Sequence, residues 1–391
     1  MPRFGLKIHG GCRVALVVHA KRGQMHRVRR DIQMPIVGIV SVLATAGMAL
    51  AASTLAPAAA SAGPVGGRPG ISHEFATGAP SAASGINAWK VSQKFQRSQI
   101  RSFAGISCPS ATTCYAAGID GTFVTTNSGT TWTALTLQPS GGGSYSIACP
   151  STMTCYTSDG RTMDGGKTWS AYSTEASPSG SIACPSTTTC YRVGSYGILV
   201  TTDSGTSWQL GAMASGTEGY QYAIACPSVT TCFAVGYDSS YNAEILGTID
   251  SGATWKVQTR PPGVLDLPAI ACPSVTTCFV LGSLYVPPGT ETEIIAATTD
   301  SGATWTDRAL NGVYSGGGIS CPSTTTCSAI PASGRGPILR TVDGWTSWNN
   351  ETFPSGTNLL TGVACPSTTI CYAVGMAGKP LSGGLILKRK G

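Results

Sequence analysis

From about residue 86 onward, apolar positions fall in short runs. Ser181-Ile-Ala-Cys184, Cys190-Tyr-Arg-Val-Gly194 and Ile198-Leu-Val-Thr-Thr202 are four or five residues long and rich in β-branched and aromatic side chains. Turn formers bound them: Pro185 and Ser186 after the first run, Gly194 to Gly197 after the second, Asp203 and Gly205 after the third. Runs of this length and composition predict strands, and no stretch carries the 3.6-residue period of an amphipathic helix. The pattern also repeats. First cysteines at 108, 149, 184, 226, 272, 321 and 365 recur with a mean spacing of about 43 residues. A period of roughly 40–50 residues with several short strands per unit predicts an all-β propeller of seven four-stranded blades.

Each unit holds two devices. The first is a pair of cysteines with five residues between them: Cys108/Cys114, Cys149/Cys155, Cys184/Cys190, Cys226/Cys232, Cys272/Cys278, Cys321/Cys327 and Cys365/Cys371. Strand A is expected to end at the first cysteine and strand B to start at the second. Across so tight a hairpin the two sulfurs can meet the geometry of a disulfide. Each small ring contributes about 2 kcal/mol in the loop-entropy model. A metal reading is weak, because zinc needs four ligands from one neighbourhood and each pair sits in its own repeat.

The second device is a turn followed by a tryptophan. It reads Asn127-Ser-Gly-Thr-Thr-Trp132, Asp164-Gly-Gly-Lys-Thr-Trp169, Asp203-Ser-Gly-Thr-Ser-Trp208, Asp250-Ser-Gly-Ala-Thr-Trp255, Asp300-Ser-Gly-Ala-Thr-Trp305 and Asp343-Gly-Trp-Thr-Ser-Trp348. A carboxylate can accept backbone N–H bonds within its own turn, and glycine tolerates positive φ. The tryptophan is expected to bury against the next repeat. These residues resemble the Asp-box (bacterial neuraminidase) repeat, S/T-x-D-x-G-x-x-W, over six of the seven units. The resemblance implies a propeller similar in architecture to sialidase-like and photosystem II assembly factor-like propellers. It also implies that Asn127, Asp164, Asp203, Asp250, Asp300 and Asp343 are structural and lie opposite the ligand face.

The seventh unit keeps its cysteines but ends one strand short. Asn87-Ala-Trp89-Lys90-Val91 matches the fourth strand of the fourth unit, Ala253-Thr-Trp255-Lys256-Val257. The N-terminal strand is therefore expected to complete the last blade, which removes the exposed edges of an open ring.

The first 62 residues differ in kind. A basic segment through residue 34, the apolar run Ile36–Ala52 and the small residues Ala58–Ala62 read as a secretion signal cleaved after Ala62. Met25 and Met34 are alternative starts, and an uncleaved anchor is the competing reading. A Gly/Ala/Pro/Ser-rich linker over 63–86 precedes the propeller, 87–391. Export and an even number of cysteines beyond Cys12 agree on a disulfide framework and a secreted or cell-surface location. The chain has 25 basic and 18 acidic residues. The leader takes eight of the first and one of the second, leaving seventeen of each. A balanced mature chain offers no case for nucleic acid or an anionic membrane as partner.

Chemistry is narrowed further by what is missing. Beyond the leader the only histidine is His73, in the linker. Histidine-dependent nucleophilic catalysis and histidine-ligated metals are not expected, and neither is a cofactor. Arg161, Arg192 and Arg340 fall in three different repeats, so they do not make the arginine clamp of a sialidase. Variation gathers in the B–C and D–A loops, on the face away from the cysteine hairpins. The longest, in the fourth and fifth repeats, supply Asp238, Tyr241, Glu244, Tyr285, Glu291 and Glu293. Neighbouring loops add Tyr220, Tyr222, Arg260, Asp266 and Tyr314. Long polar and aromatic loops on a rigid scaffold are where binding resides. The expectation is a monomeric, non-catalytic propeller that binds a glycan or an extracellular protein through this face. A glycoside hydrolase using loop carboxylates is the alternative, and a cell-surface structural domain is a third possibility.

Overall fold

The computed structural model describes residues 4–9, 13–18 and 88–389, apart from 119, 136–145, 173–179, 196, 213–218, 287–289, 311–316, 331–335 and 379–382. The chain divides into two units, residues 1–71 and 72–391. In the first, Phe4–His9 and Arg13–Val18 form an antiparallel hairpin. The expected cleavage point, the linker, Tyr314 and Asn87 lie outside the described residues. Among those described there is no helix, and so none long and apolar enough to cross a membrane.

The second unit is a seven-bladed β-propeller. Every blade is a four-stranded antiparallel sheet, and six run A-B-C-D in chain order. Blade 4 is representative: Tyr220–Ala225, Cys232–Tyr237, Ala243–Thr248 and Lys256–Val257. The seventh sheet is assembled from both ends of the domain. Thr357–Ala364, Tyr372–Ala377 and Gly384–Arg389 are joined by Trp89–Lys94, with Trp89 opposite Arg389 and Val91 opposite Leu387. The N-terminal strand thus closes the ring as the sequence predicts.

All seven cysteine pairs are bonded within their own A–B hairpin, with Cα atoms 4.0–4.1 Å apart. Between the cysteines a serine caps the loop. In blade 3 the Thr189 N–H donates to Ser186 Oγ (2.9 Å), and the same bond recurs in the other six.

Beyond closing the hairpins, these cysteines take part in the packing between blades. The second of each pair is a core residue: Cys114, Cys155, Cys190, Cys232, Cys278, Cys327 and Cys371 are only 0–1% exposed. Each belongs to the cluster shared with the preceding blade. Cys114 of blade 1 packs with Tyr372 of blade 7, Cys155 of blade 2 with Tyr115 of blade 1, and Cys327 of blade 6 with Phe279 of blade 5. Cys371 of blade 7 lies with Ile330 of blade 6, its Sγ 3.8 Å from Ser328 Oγ. The first strand B residue points at the neighbouring sheet, so its sulfur is buried while the first cysteine stays nearer the hairpin surface. Blade 7 also departs from the expected start of strand B, which begins at Tyr372, one residue after Cys371.

The aspartate turns dock on these hairpins. Ser204 N–H donates to the Thr188 carbonyl of its own blade, and equivalent bonds occur in the other five turn-bearing blades. Cysteine hairpins and turns therefore share one face. Inside the five aspartate turns the carboxylate accepts bonds from its own turn. In blade 4, Asp250 Oδ1 accepts from Thr248 Oγ1 (2.7 Å) and Thr254 N–H (2.9 Å), while Oδ2 accepts from Thr254 Oγ1 (2.6 Å). Thr248 Oγ1 in turn accepts from Gly252 N–H (3.0 Å).

The core is seven separate clusters, each at one interface between consecutive blades. The tryptophans belong to these clusters, but on the side opposite to that expected. Trp255 of blade 4 packs edge-on against Tyr191 of blade 3, Trp305 of blade 5 against Phe233 of blade 4, and Trp132 of blade 1 against Tyr372 of blade 7. Each buries against the preceding repeat. Strand alternation explains the direction: Val235 and Ile245 face blade 5, whereas Ala234, Leu246 and Trp255 face blade 3. The aromatic residue after the second cysteine is thus the receiving half of these contacts; blade 6 has Ser328 at that position. Tyr115, Tyr156 and Tyr191 add a hydroxyl bond to a carbonyl in the next blade's cysteine loop, at Thr152 (2.7 Å), Thr187 (2.5 Å) and Val229 (3.1 Å).

Candidate functional site

Strand A of every blade lies innermost. Ala104–Ile106, Ser146–Ile147, Gly180–Ile182, Tyr220–Ile224 without Gln221, Pro268–Ile270, Gly317–Ile319 and Gly362–Val363 together line one central cavity of about 360 Å³. Its wall is mostly glycine and short aliphatic side chains. Ser146 and Ser181 accept backbone N–H bonds from the next blade, at Ile182 (3.2 Å) and Ile224 (2.9 Å).

The wall becomes aromatic at blade 4. Tyr222 sits at the register shift between Gln221 and Ala223, and its ring lies 5.1 Å from that of Tyr220. Tyr237, at the end of strand B, pairs with Tyr220 across the sheet. It stacks on Tyr220 at 5.9 Å with planes 20° apart, and meets Tyr222 at 5.6 Å. Tyr241, in the B–C loop, extends the stack, 5.3 Å from Tyr237 with planes 28° apart. Tyr241 is 79% exposed and its backbone sits at φ +62°. That left-handed conformation is strained for a bulky residue. Asp238 holds it there, accepting from Ser240 N–H (2.8 Å), Asn242 N–H (2.9 Å) and Asn242 Nδ2. These bonds, led by that from Asn242 N–H, also keep the Asp238 carboxyl below its ordinary pKa, with a smaller contribution from Arg260.

Acidic groups surround the tyrosines. Asp266, on strand A of blade 5, is half-buried and titrates above the ordinary carboxylate range. Burial raises it first; a bond from Leu267 N–H opposes this and the charge of Glu291 adds to it. Its own charge helps raise the Tyr222 phenol, whose main perturbation is also burial. Among the described residues neither Asp266 nor Glu291 forms an ion pair with a lysine or arginine. Glu291 stands exposed opposite Tyr285 on the long blade 5 hairpin, Cys278–Val286 paired with Thr290–Thr298.

The sequence places several of these residues in loops that are largely strand. Blade 5 spends its insertion on two nine-residue strands, leaving only 287–289 between them. Glu293 and Glu244 are therefore strand residues, 4% and 5% exposed. Glu244 accepts from Gln221 Nε2 (3.3 Å), and burial raises its pKa. Tyr220, Tyr222, Asp238, Tyr241, Glu244, Arg260 and Asp266 gather around blade 4, while Tyr285, Glu291 and Glu293 lie on the blade 5 hairpin. Tyr237, central to the stack, escapes sequence reasoning because it reads as the last strand residue before the loop.

The three scattered arginines form no clamp. Arg192 is buried between blades 2 and 3, its guanidinium 4.8 Å from the Tyr172 ring and 5.0 Å from Trp208. Arg161 reaches Thr206. Arg340 lies beside Glu351 at the interface of blades 6 and 7. Among the described residues no group of three metal-ligating side chains is found.

No family model matches the sequence, and no curated protein is found as a relative. Solved structures do resemble it. YCF48 bound to D1 peptide superposes with a TM-score of 0.59 at 15% identity, over 79% of this chain and 99% of that one. A GH74 xyloglucanase from Xanthomonas campestris gives 0.55 at 13% identity, over 76% of this chain and 55% of that one. The extracellular domain of a hybrid two-component system from B. thetaiotaomicron gives 0.55 at 10%, over 78% and 40%. At such identities the likeness is one of fold, and the fold it supports is the seven-bladed propeller.

Proposed function

We propose that the chain is an exported, monomeric, non-catalytic Asp-box propeller that binds a glycan or an extracellular protein through the channel mouth at blades 4 and 5. The observation that carries this reading is the four-tyrosine stack at the end of the central cavity, with a strained and exposed Tyr241 at its tip. Aromatic rings held on a rigid sheet are a low-entropy contact surface. The carboxylates of the opposite turns are already engaged in bonds within their own turns. Disulfides in every blade suit an oxidising compartment, and a basic, apolar and small-residue leader suits export. A propeller that takes a peptide, YCF48, offers a precedent for the mode of binding.

Glycan and peptide arrays probed with the protein and with Tyr241→Ala and Asp203→Ala variants test the assignment. Captured ligands should be lost with Tyr241→Ala and kept with Asp203→Ala. Loss with Asp203→Ala alone would move the site to the other face. A second reading, glycoside hydrolysis, rests on Asp266, a carboxyl kept protonated to higher pH beside a second acid. Turnover of a polysaccharide that Asp266→Asn abolishes would establish it in place of the first.

A further inference from the structure

Glu244 stands where the fold otherwise puts a hydrophobic side chain. On strand C of blade 4 it lies opposite Gly236, four residues after the second cysteine. The positions opposite the matching glycines, Gly282 of blade 5 and Gly375 of blade 7, hold Ile294 and Leu385, both fully buried. Gln221 pairs with Gly236 from the other side of the strand. Because Gly236 has no side chain, Gln221 and Glu244 meet above it, and a Cβ there would lie 2.9 Å from Gln221 Oε1. Gln221, itself fully buried, donates Nε2 to Glu244 Oε2 (3.3 Å), while its buried Oε1 has no partner. Leu246, two residues beyond Glu244, faces blade 3, so the pair is turned toward that blade. Blade 3 brings Tyr191, Val193 and Ile198 to this interface, and the Tyr191 hydroxyl donates to the Val229 carbonyl. Asp238, in the adjoining turn, is the charge that acts on Glu244. Asp266, Glu291 and Glu293 belong to blade 5, beyond the other face of the sheet. Among the described residues no salt bridge reaches Glu244.

A buried carboxylate with one neutral donor and an anion nearby is a costly state. A carboxylic acid in the same place is not. Its hydroxyl can donate to Gln221 Oε1 while its other oxygen accepts from Nε2, which gives the orphaned Oε1 a partner. We propose that Glu244 carries a proton in the folded chain, joined to Gln221 by two hydrogen bonds, and that release of this proton to water loosens the rim of blade 4. Gln221 sits between Tyr220 and Tyr222, and Glu244 lies two residues past Asn242. The pair therefore joins the strand A tyrosines to the Asp238–Asn242 turn that holds Tyr241. It needs no ligand and stands apart from the binding reading above. Burial holds the Glu244 carboxyl above its ordinary value, with the Gln221 bond opposing this and the Asp238 charge adding to it. An acid raised in the folded state stabilises the fold below its unfolded value, and that contribution is lost as pH rises through the folded one. The slope is opposite to that of a carboxyl held low, such as Asp250.

Chemical denaturation across pH, with Glu244→Gln set beside the unmodified protein, is the test. The amide keeps the size of the acid and can make both bonds to Gln221. Above the ordinary 4.5 of a glutamate, the unfolding constant of the unmodified protein should grow relative to the variant's. The growth should be about tenfold per pH unit until the folded protein loses its proton. Hydrogen exchange over 237–244 should then become faster in the unmodified protein than in the variant at the same pH. Parallel stability profiles, or equal exchange at every pH, overturn the proposal. Infrared spectra decide the matter even where Glu244→Gln does not fold. Protein with Asp266→Asn, which removes the other acid raised by burial, should keep a protonated-carboxyl band above pH 4.5 and lose it as the pH rises. Absence of that band overturns the proposal as well.

Discussion

The aspartates of the repeat are acceptors whose bonds are all internal. Asp164, Asp250 and Asp300 are held at about 2, against an ordinary 3.8, chiefly by the hydroxyl and the N–H of the threonine four residues on. Asp203 and Asp343 shift the same way, and in Asp343 burial works against its bonds. A depressed carboxyl stabilises the fold above its unfolded value and loses that contribution as pH falls through its folded value. The turns' contribution should therefore be level from neutrality to about pH 4 and decline between about pH 4 and pH 2, as read by chemical denaturation across pH. Asn127 has no part in this. Its amide makes the same N–H contact but donates Nδ2 to Thr131 Oγ1 (2.8 Å), where the acids accept. Changing Asp250 to Asn should remove one share of the acid sensitivity; an unchanged profile would remove the turns as its cause. The bonds within these turns were legible from spacing and residue type. The pairing of the cysteines was legible in the same way, but the burial of Cys114, Cys155, Cys327 and Cys371 was not, because it depends on the neighbouring blade. Glu351 was not legible either, because nothing local in Asn349-Asn-Glu351 marks it. It is 3% exposed and accepts from Trp89 Nε1 (2.9 Å) and Arg389 Nε (3.0 Å), contacts that depend on the ring being closed.

Among elements, the informative unit is the junction of one blade's B strand with the next blade's turn. The turn glycine was legible as a positive-φ position, and Gly252 does adopt φ +80°. Its second constraint comes from the neighbouring blade: a Cβ there would lie 2.8 Å from Tyr191 Cε1. Gly302 meets Phe233 and Gly129 meets Tyr372 in the same way. Blade 6 shows the exception, with Trp345 in that position at φ +67°, fully buried beside Phe279. Gly252→Ala should cost about 2–3 kcal/mol by combining steric overlap with backbone strain. Tyr191→Phe should cost about 1 kcal/mol, the value of one hydroxyl bond, since Phe233 and Phe279 fill the equivalent position without one. Equilibrium unfolding resolves both, and a neutral Gly252→Ala would refute the packing. Such contacts were illegible because they join residues far apart in the chain, sixty or more positions even between consecutive blades. The long B–C insertions were misread for a related reason. Thr-Glu-Thr-Glu reads as a polar loop until the hairpin that pairs it, Leu284 with Thr292 and Tyr285 with Glu291, is known.

For the whole molecule, a propeller must join its first and last blades, and here one strand does so. Trp89–Lys94 supplies the fourth strand of blade 7, and Trp89, 1% exposed, enters the cluster of Ile330, Ile338, Leu360 and Leu385. Glu351 ties that strand to blade 6 and to Arg389 on the strand beside it. Glu351→Ala would leave Arg389, Arg340 and the Trp89 indole without their shared acceptor, a loss of about 3 kcal/mol or more. The number of blades and the route of closure were legible from the repeats, the missing turn and the match between the two tryptophan segments. The most direct test of the closed ring is the unfolding of protein lacking residues 87–96, set beside protein lacking 63–80. Calorimetry with sedimentation should find the second unchanged, monomeric and melting in one cooperative step. The first should lose that transition or associate through its open edge. If the protein without 87–96 melts as a monomer at the temperature of the intact chain, the ring is not closed by this strand.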